Sequence, residues 1–213
     1  MSDAAVRLHA IRSAITDAAR VARREAAEVT LVAVSKNRSA EEIEALIMAG
    51  QRHFGENRVQ EAAAKWPALR ARHPDVTLHM IGRLQSNKAE EAAALFDVIH
   101  SLDRPSLGHA LARAGWGGPT YVQVNIGEEE QKGGVPIADL PAFLEETRAQ
   151  GLKVAGLMAI PPADVEASPY FALLAKLARR HDVSGLSMGM SGDFRSAVML
   201  GATVVRIGTA LFE

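Results

Sequence analysis

The residue with the clearest chemical potential in this sequence is a lysine that follows an apolar stretch. Lys36 comes directly after residues 31–35, which are apolar or small. A lysine ammonium must reach water or a partner, because burying it unpaired inside a strand costs a large free energy. We predict a strand over residues 31–36 with Lys36 at its open end. An amine in that position can form an imine with an aldehyde, although a solvated surface lysine would show the same pattern.

Two segments near the end of the chain combine glycine with hydroxyl side chains. Residues 187–193 include Ser191, and residues 206–209 include Gly208 and Thr209. Glycine lets backbone N–H groups approach an anion closely, and the hydroxyl groups add further donors. Tight turns and a helix cap at Ser191 would explain either segment alone. Both segments together favour a phosphate site.

A lysine amine opposite a phosphate site narrows the class of ligand. A phosphorylated aldehyde held by its phosphate would present its carbonyl carbon to Lys36. Two ligands of this kind remain open at this point. One is pyridoxal phosphate held as a cofactor, and the other is a phosphosugar that passes through an aldolase.

The elements that must position these residues are short apolar strands that alternate with helices. We predict eight strands, over residues 31–36, 53–57, 76–81, 96–102, 121–126, 154–158, 185–188 and 203–207. An amphipathic helix capped by Ser2 precedes them, and Ser39 begins a capping box at the head of the next helix. Three later helices are predicted over residues 140–149, 170–180 and 193–200.

This alternation predicts an α/β fold, a single (β/α)8 TIM-type barrel domain over residues 1–213 with an extra N-terminal helix. Eight parallel strands joined by right-handed crossovers close such a barrel. An open doubly wound sheet is the alternative, but no G-x-G-x-x-G turn follows the first strand. In a barrel the strand exits meet at one face. The predicted exits carry a polar set suited to a small anion, namely Lys36, Asn57, Arg83, Ser101, Asn125, Met158, Ser191 and Arg206.

Composition excludes several classes of function. The formal net charge is −1, which gives no electrostatic case for nucleic acid or for an anionic membrane surface. The sequence has no cysteine, so disulfides, thiolate nucleophiles and cysteine-ligated metals are excluded. We recognise no signal peptide and no apolar run of bilayer length, and we predict a cytoplasmic protein. No histidine spacing matches a metal motif, so we predict no metal site.

Several ordered motifs are similar to those of one known family. They are Val34-Ser35-Lys36, residues 54–61 with the run Gly-Glu-Asn, residues 79–88 with the run Ile-Gly-Arg-Leu-Gln-Ser-Asn-Lys, residues 156–158, residues 186–194 and residues 205–209. From about residue 30 to its end the sequence resembles the pyridoxal phosphate homeostasis protein family. The resemblance implies a barrel of the alanine racemase type that binds the cofactor without established turnover. Arg58 departs from the pattern, because the family commonly has tyrosine there.

The resemblance also implies roles for particular residues. It implies cofactor binding by Lys36 as the imine, by Asn57 beside the ring, by His79 and Met158 as pocket lining, by Ser191, Gly208 and Thr209 at the phosphate, and by Arg206 at the pyridine nitrogen. A cation at that nitrogen keeps it unprotonated and weakens the ring as an electron sink.

The leading hypothesis is therefore a non-enzymatic carrier that holds pyridoxal 5'-phosphate and takes part in vitamin B6 homeostasis. We expect a monomer that passes the cofactor to apo-enzymes and contacts neither nucleic acid nor membrane. The alternative is a pyridoxal phosphate-dependent amino-acid racemase or lyase. The resemblance implies that a racemase takes its second base, a tyrosine, from a further domain. Tyr121 and Tyr170 are the two tyrosines here, and neither is expected at the mouth.

Overall fold

The computed structural model describes residues 2–129 and 131–213. Eight parallel strands follow one another around a closed barrel, and β1 pairs with both β2 and β8. The predicted (β/α)8 barrel is therefore confirmed. Its strands are β1 (Thr30–Val34), β2 (His53–Glu56), β3 (Thr77–Met80), β4 (Val98–Leu102), β5 (Pro119–Gln123), β6 (Lys153–Met158), β7 (Gly185–Ser187) and β8 (Val204–Ile207).

A helix precedes the barrel and helices follow its strands. They are α1 (Asp3–Val21), α2 (Ala40–Met48), α3 (Val59–Arg72), α4 (Ala89–Leu95), α5 (Pro105–Arg113), α6 (Leu140–Ala149), α7 (Ser168–Arg180), α8 (Phe194–Met199) and α9 (Thr209–Phe212). Within the described residues, no helix combines the length and apolar character needed to cross a bilayer.

Local sequence signals begin the first two helices as expected. The Ser2 side chain accepts a hydrogen bond from the N–H of Ala5 and caps α1. Ser39 and Glu42 form the predicted capping box at α2, which satisfies N–H groups that a helix start leaves unpaired. The buried face of α1 includes Leu8 and Ile11, and α1 packs against α8 and α9 on the outside of the barrel.

The predicted first strand is too long at its C-terminal end. β1 ends at Val34, and Asn37 has a φ of 57°, which turns the chain away from the barrel. Ser35 is still held at the barrel, because its hydroxyl donates to Glu56 Oε1 over 2.6 Å. Lys36 therefore lies in the turn that follows the strand rather than in the strand itself.

The barrel lumen holds a network of polar side chains, whereas the layer between strands and helices is mainly apolar. Large buried side chains such as Trp66, Phe54 and Phe171 fill the outer layer. The lumen holds four buried polar residues that hydrogen bonds link into one network, namely His79, His100, Ser187 and Arg206. Branched apolar residues usually fill the centre of such a barrel. Burying this many polar groups requires that they satisfy one another.

A close approach of β6 and β7 depends on two glycines. A Cβ added at Gly156 would lie 2.1 Å from the carbonyl oxygen of Gly185 and 2.5 Å from its Cα. Gly156→Ala is therefore expected to lower the free energy of unfolding by about 1–3 kcal/mol, because backbone must shift. Urea denaturation measures this change.

The matched control is Gly117→Ala. An added Cβ at Gly117 meets no atom within 4 Å, so the expected change is within about 0.5 kcal/mol. Equal stabilities of the two variants would contradict the close packing of β6 against β7.

Candidate functional site

Two adjoining cavities lie at the C-terminal ends of the strands. Both are lined by Val34, Lys36, Met190 and Arg206. The inner cavity, of about 320 Å³, also includes Asn57 and residues of the loops after β3 and β5. The cradle cavity, of about 300 Å³, is completed by Arg38, Ser191, Gly192, Gly208 and Thr209. The exposed Lys36 side chain stands where the two meet, at the barrel mouth.

The cradle cavity is surrounded by unpaired backbone donors. In the described part of the chain, the N–H groups of Ser191, Gly192, Gly208 and Thr209 make no hydrogen bond to protein. These residues follow β7 and β8, the positions at which barrels of this type hold phosphate. Four N–H groups around one cavity provide the donor set that an anion needs.

The chain after β7 is shaped by one glycine and one aspartate. Gly189 has a φ of 96°, and a Cβ there would lie 2.6 Å from the Cβ of Ala197. Asp193 Oδ1 accepts from the N–H of Met190 over 2.6 Å and fixes the following turn. α8 begins at Phe194, one residue later than predicted, because residues 190–193 form this turn.

Arg206 is a buried cation on the wall shared by both cavities. It is 4% exposed, and it donates to Ser187 Oγ over 2.6 Å and to the carbonyl of Ala159 over 3.1 Å. No carboxylate pairs with it directly in residues 2–129 and 131–213. Burial lowers the pKa of Arg206 to about 10, against a smaller raising effect of Asp193. The guanidinium stays protonated at neutral pH, so it favours an anionic or acceptor-bearing ligand.

The structure does not place His79 in the lining of either cavity. His79 is 4% exposed and lies within the lumen, hydrogen-bonded to His53 and His100 over 3.1 and 2.9 Å. Burial, followed by the charge of His53, lowers the pKa of His79 to about 3. Burial also lowers the pKa of His53 and takes that of His100 well below its ordinary value. The buried rings of His79 and His100 are therefore neutral at physiological pH.

Asn57 lines the inner cavity, whereas Met158 does not. A Cβ at Gly82 would lie 2.3 Å from the carbonyl oxygen of Asn57, so the loops after β2 and β3 are in close contact. Met158 is fully buried and stands in register between Gln123 and Ser187. It therefore shares the face of the site without contributing to the cavity surface.

Two other predicted exit residues lie elsewhere. Ser101 is fully buried in β4, and Asn125 closes a turn by bonding to the backbone of Glu129. The exit of β5 is instead Gln123, which lines the inner cavity. The strand begins at Pro119, two residues earlier than predicted, and this shift moves the exit.

Sequence reasoning also missed Arg38, Asp103, Ile160 and Met190 as lining residues. Arg38 had a detectable signal, because it is a second cation two residues after Lys36. Its guanidinium pairs with Glu42 and Glu213 and stacks over Phe212, so α9 reaches the cradle cavity from the end of the described chain. α9 is too short to show a helical period in sequence.

A larger cavity, of about 660 Å³, adjoins the inner cavity. The two share Asn57 and Arg83, and the larger one is also lined by Arg58, Lys88 and Arg104. Arg58, where the resemblance implied tyrosine, thus lies beside the mouth rather than within the cradle cavity.

This chain matches a known protein family and is similar in sequence to named relatives. The model of the family described as alanine racemase, N-terminal domain, matches residues 6–213. A pyridoxal phosphate homeostasis protein from Deinococcus radiodurans is 42% identical over 209 residues, covering 95% of this chain and 98% of that protein. Its counterpart from Escherichia coli is 37% identical, covering 100% and 97% respectively.

Solved structures show the same architecture. PipY from Synechococcus elongatus with PLP bound has a TM-score of 0.85 and 39% identity, covering 99% of this chain and 100% of that chain. PipY without PLP has a TM-score of 0.86 and 40% identity, covering 98% and 99%. Alanine racemase from Corynebacterium glutamicum has a TM-score of 0.67 at 17% identity, covering 93% and 60%, which shows likeness of fold alone.

Proposed function

The chain belongs to the pyridoxal phosphate homeostasis proteins and matches the alanine racemase N-terminal domain over residues 6–213, and from this we propose that it binds pyridoxal 5'-phosphate at the barrel mouth. The observation that supports the proposal best is the donor set around the cradle cavity. Four unpaired backbone N–H groups and the buried cation Arg206 surround a space that Lys36 also lines. These residues fit a ligand with a phosphate at one end and an aldehyde near Lys36.

Each cradle residue has a definite task in this proposal. The N–H groups of Ser191, Gly192, Gly208 and Thr209 would donate to phosphate oxygens, and the Ser191 and Thr209 hydroxyls would add donors. Such charge-assisted bonds are stronger than neutral ones. The cradle would therefore provide most of the affinity and fix the direction of the ligand.

Lys36 and Arg206 would act on the two reactive parts of the ligand. When bound, pyridoxal phosphate supplies an aldehyde carbon and a ring that can withdraw electrons. Lys36 would attack the aldehyde and form a reversible imine with loss of water. Arg206 keeps its own proton, so it would donate to the pyridine nitrogen and leave that nitrogen unprotonated. A ring in this state is a weak electron sink.

We further propose that the protein stores or delivers the cofactor in vitamin B6 homeostasis and does not turn over a substrate. A reversible imine suits a carrier, because hydrolysis releases the aldehyde while the cradle determines affinity. A racemase needs a second base opposite the lysine. Tyr121 stacks on His100 in the lumen and Tyr170 lies in α7, and neither tyrosine lines the two cavities.

The carrier is proposed to act in the cytoplasm as a monomer and to hand the cofactor to apo-enzymes. The racemase or lyase alternative makes a different prediction. It would require the loaded protein to exchange the α-proton of an amino acid with solvent deuterium far faster than pyridoxal phosphate alone.

The proposal is tested by comparing pyridoxal phosphate with pyridoxal, which has the aldehyde but lacks the phosphate. Both are expected to give a visible imine band with the protein, but pyridoxal should bind at least about 100-fold more weakly. Losing several charge-assisted hydrogen bonds costs about 3 kcal/mol or more, and each 1.4 kcal/mol is about tenfold in affinity. Absorbance titration measures both constants. Equal affinities, or a protein that stays colourless with pyridoxal phosphate, would sink the proposal.

A further inference from the structure

A continuous chain of hydrogen-bonded side chains crosses the barrel lumen and ends at Arg206. His53 Nδ1 lies 3.1 Å from His79 Nε2, and His79 Nδ1 lies 2.9 Å from His100 Nε2. His100 Nδ1 lies 2.8 Å from Ser187 Oγ, which Arg206 Nη1 reaches over 2.6 Å. We call these five residues the imidazole relay. It joins β2, β3, β4, β7 and β8 through side chains alone.

The direction of every hydrogen bond in the relay follows from its Arg206 end. A guanidinium only donates, so Ser187 Oγ accepts from Arg206. Ser187 is fully buried, and a buried hydroxyl hydrogen needs an acceptor. His100 Nδ1 is the acceptor in reach, so the Ser187 hydroxyl donates to it. His100 must then carry its proton on Nε2.

The protonated nitrogen of His79 and the acceptor nitrogen of His53 follow in the same way. His100 Nε2–H donates to His79 Nδ1, so His79 also carries its proton on Nε2. That proton is donated to His53 Nδ1. Neutral rings are required for this order, and burial provides them, because it lowers the pKa of both His79 and His100 far below physiological pH.

Ring stacking holds the relay in place. His100 lies nearly parallel to Tyr121, with ring centroids 4.5 Å apart and an interplanar angle of 10°. At the other end, half-buried His53 lines a cavity of about 440 Å³ that is also bordered by Arg12 and Arg52. The relay thus extends from the opposite side of the lumen to the wall of the inner cavity.

We propose that His79 and His100 are positioning residues for Arg206, and that their fixed Nε2–H tautomers hold the guanidinium in the orientation that faces the bound ring. A hydroxyl that donates to His100 becomes a better acceptor for Arg206, because hydrogen bonds in a chain polarise one another. This inference deepens the proposed function and rests on it for the role of Arg206 towards the ring. The tautomer order does not depend on any ligand.

The first test is nitrogen NMR of histidine rings in the protein without added ligand. At neutral pH, His79 and His100 are expected to show a protonated Nε2 and an unprotonated Nδ1. A protonated Nδ1 on either ring would overturn the relay order. This result stands whether or not pyridoxal phosphate binds.

The second test uses a substitution pair at His100. His100→Leu removes the acceptor of Ser187 and should weaken pyridoxal phosphate binding about fivefold, since one hydrogen bond is worth about 1 kcal/mol, and shift the visible absorbance maximum. His100→Asn offers an oxygen near the position of Nδ1 and should restore both values. If His100→Leu binds with the wild-type constant and spectrum, the positioning role is refuted. A loss that asparagine fails to restore would also overturn it.

Tyr121→Phe is the matched control for these variants. It keeps the ring that stacks on His100 and changes no bond of the relay. Its spectrum and dissociation constant should match the wild type. If the ring NMR shows the expected order but no variant, including the wild type, binds pyridoxal phosphate, then the proposed function has failed and not the relay.

Discussion

Replacing Lys36 with alanine is expected to abolish the visible imine band that pyridoxal phosphate gives with the wild-type protein. Lys36 lines both mouth cavities, and its amine is the group proposed to form the imine. The ligand should still bind through the cradle, but without a covalent bond and with lower affinity. Absorbance titration reports the loss of the band, and ligand fluorescence or calorimetry reports the remaining binding.

The fold should survive this substitution, because the Lys36 side chain is exposed and lies in a turn. We expect a change in unfolding free energy within about 0.5 kcal/mol. The control is Lys153→Ala, at the N-terminal end of β6 and therefore at the opposite end of the barrel. It should retain the full band. A Lys36→Ala protein that keeps the band would show that another amine forms the imine.

Acid is expected to destabilise the fold steeply through the histidines of the lumen. Burial lowers the pKa of His79 from 6.5 to about 3. Below pH 6.5 the unfolded chain therefore binds a proton that the folded chain excludes, so stability is present above pH 6.5 and is lost as pH falls towards 3. Each such histidine shifts the unfolding equilibrium about tenfold per pH unit in that window. His100, also lowered by burial, adds in the same direction.

Urea denaturation of wild type and His79→Leu between pH 7 and pH 4.5 measures this effect. At pH 7 the variant should be less stable than the wild type, because it interrupts the relay. As pH falls, its unfolding equilibrium constant should rise more slowly than that of the wild type, by a factor of about ten per pH unit. His109→Gln is the control, since His109 is exposed on α5. It should follow the wild-type slope. Parallel curves for wild type and His79→Leu would contradict the buried neutral state of His79.

The barrel itself was accessible from sequence because its signals are local and repeated. Each strand is a short apolar run, and turn residues or a capping box separate it from the next helix. The capping box at Ser39 and the bounds of α6 were predicted as they stand in the structure. Strand ends were less predictable. β1 ends at a turn through Asn37, and a left-handed residue of this kind has no strong signature in sequence.

The cradle cavity and the imidazole relay differed in how much of each could be predicted from the sequence. The phosphate cradle was predicted, and remains a prediction, because Gly208, Thr209 and Ser191 are close in sequence to the ends of β7 and β8; in the structure all three line the cradle cavity. The imidazole relay was not foreseen. His79 and Ser187 are far apart in sequence, and their connection depends on barrel closure and on the alternation of faces along each strand. Each histidine alone resembles an ordinary buried ring.

The remaining differences between the predicted and observed lining residues come from the bounds of β5 and from the burial of Met158. Starting β5 two residues too late moved its exit from Gln123 to Asn125. The strand ends at Gln123, so Asn125 falls in the turn beyond it, where its side chain bonds to the backbone of Glu129. Met158 was placed on the correct face, but it is covered and does not reach the cavity surface.

The most direct test of the account is to locate the covalent bond. The protein is mixed with an equimolar amount of pyridoxal phosphate, reduced with borohydride, digested and analysed by mass spectrometry. We predict one reduced pyridoxyl phosphate group per chain, on the peptide that contains Lys36. No adduct, or adducts spread over surface lysines such as Lys153 and Lys176 with Lys36 unmodified, would contradict the account.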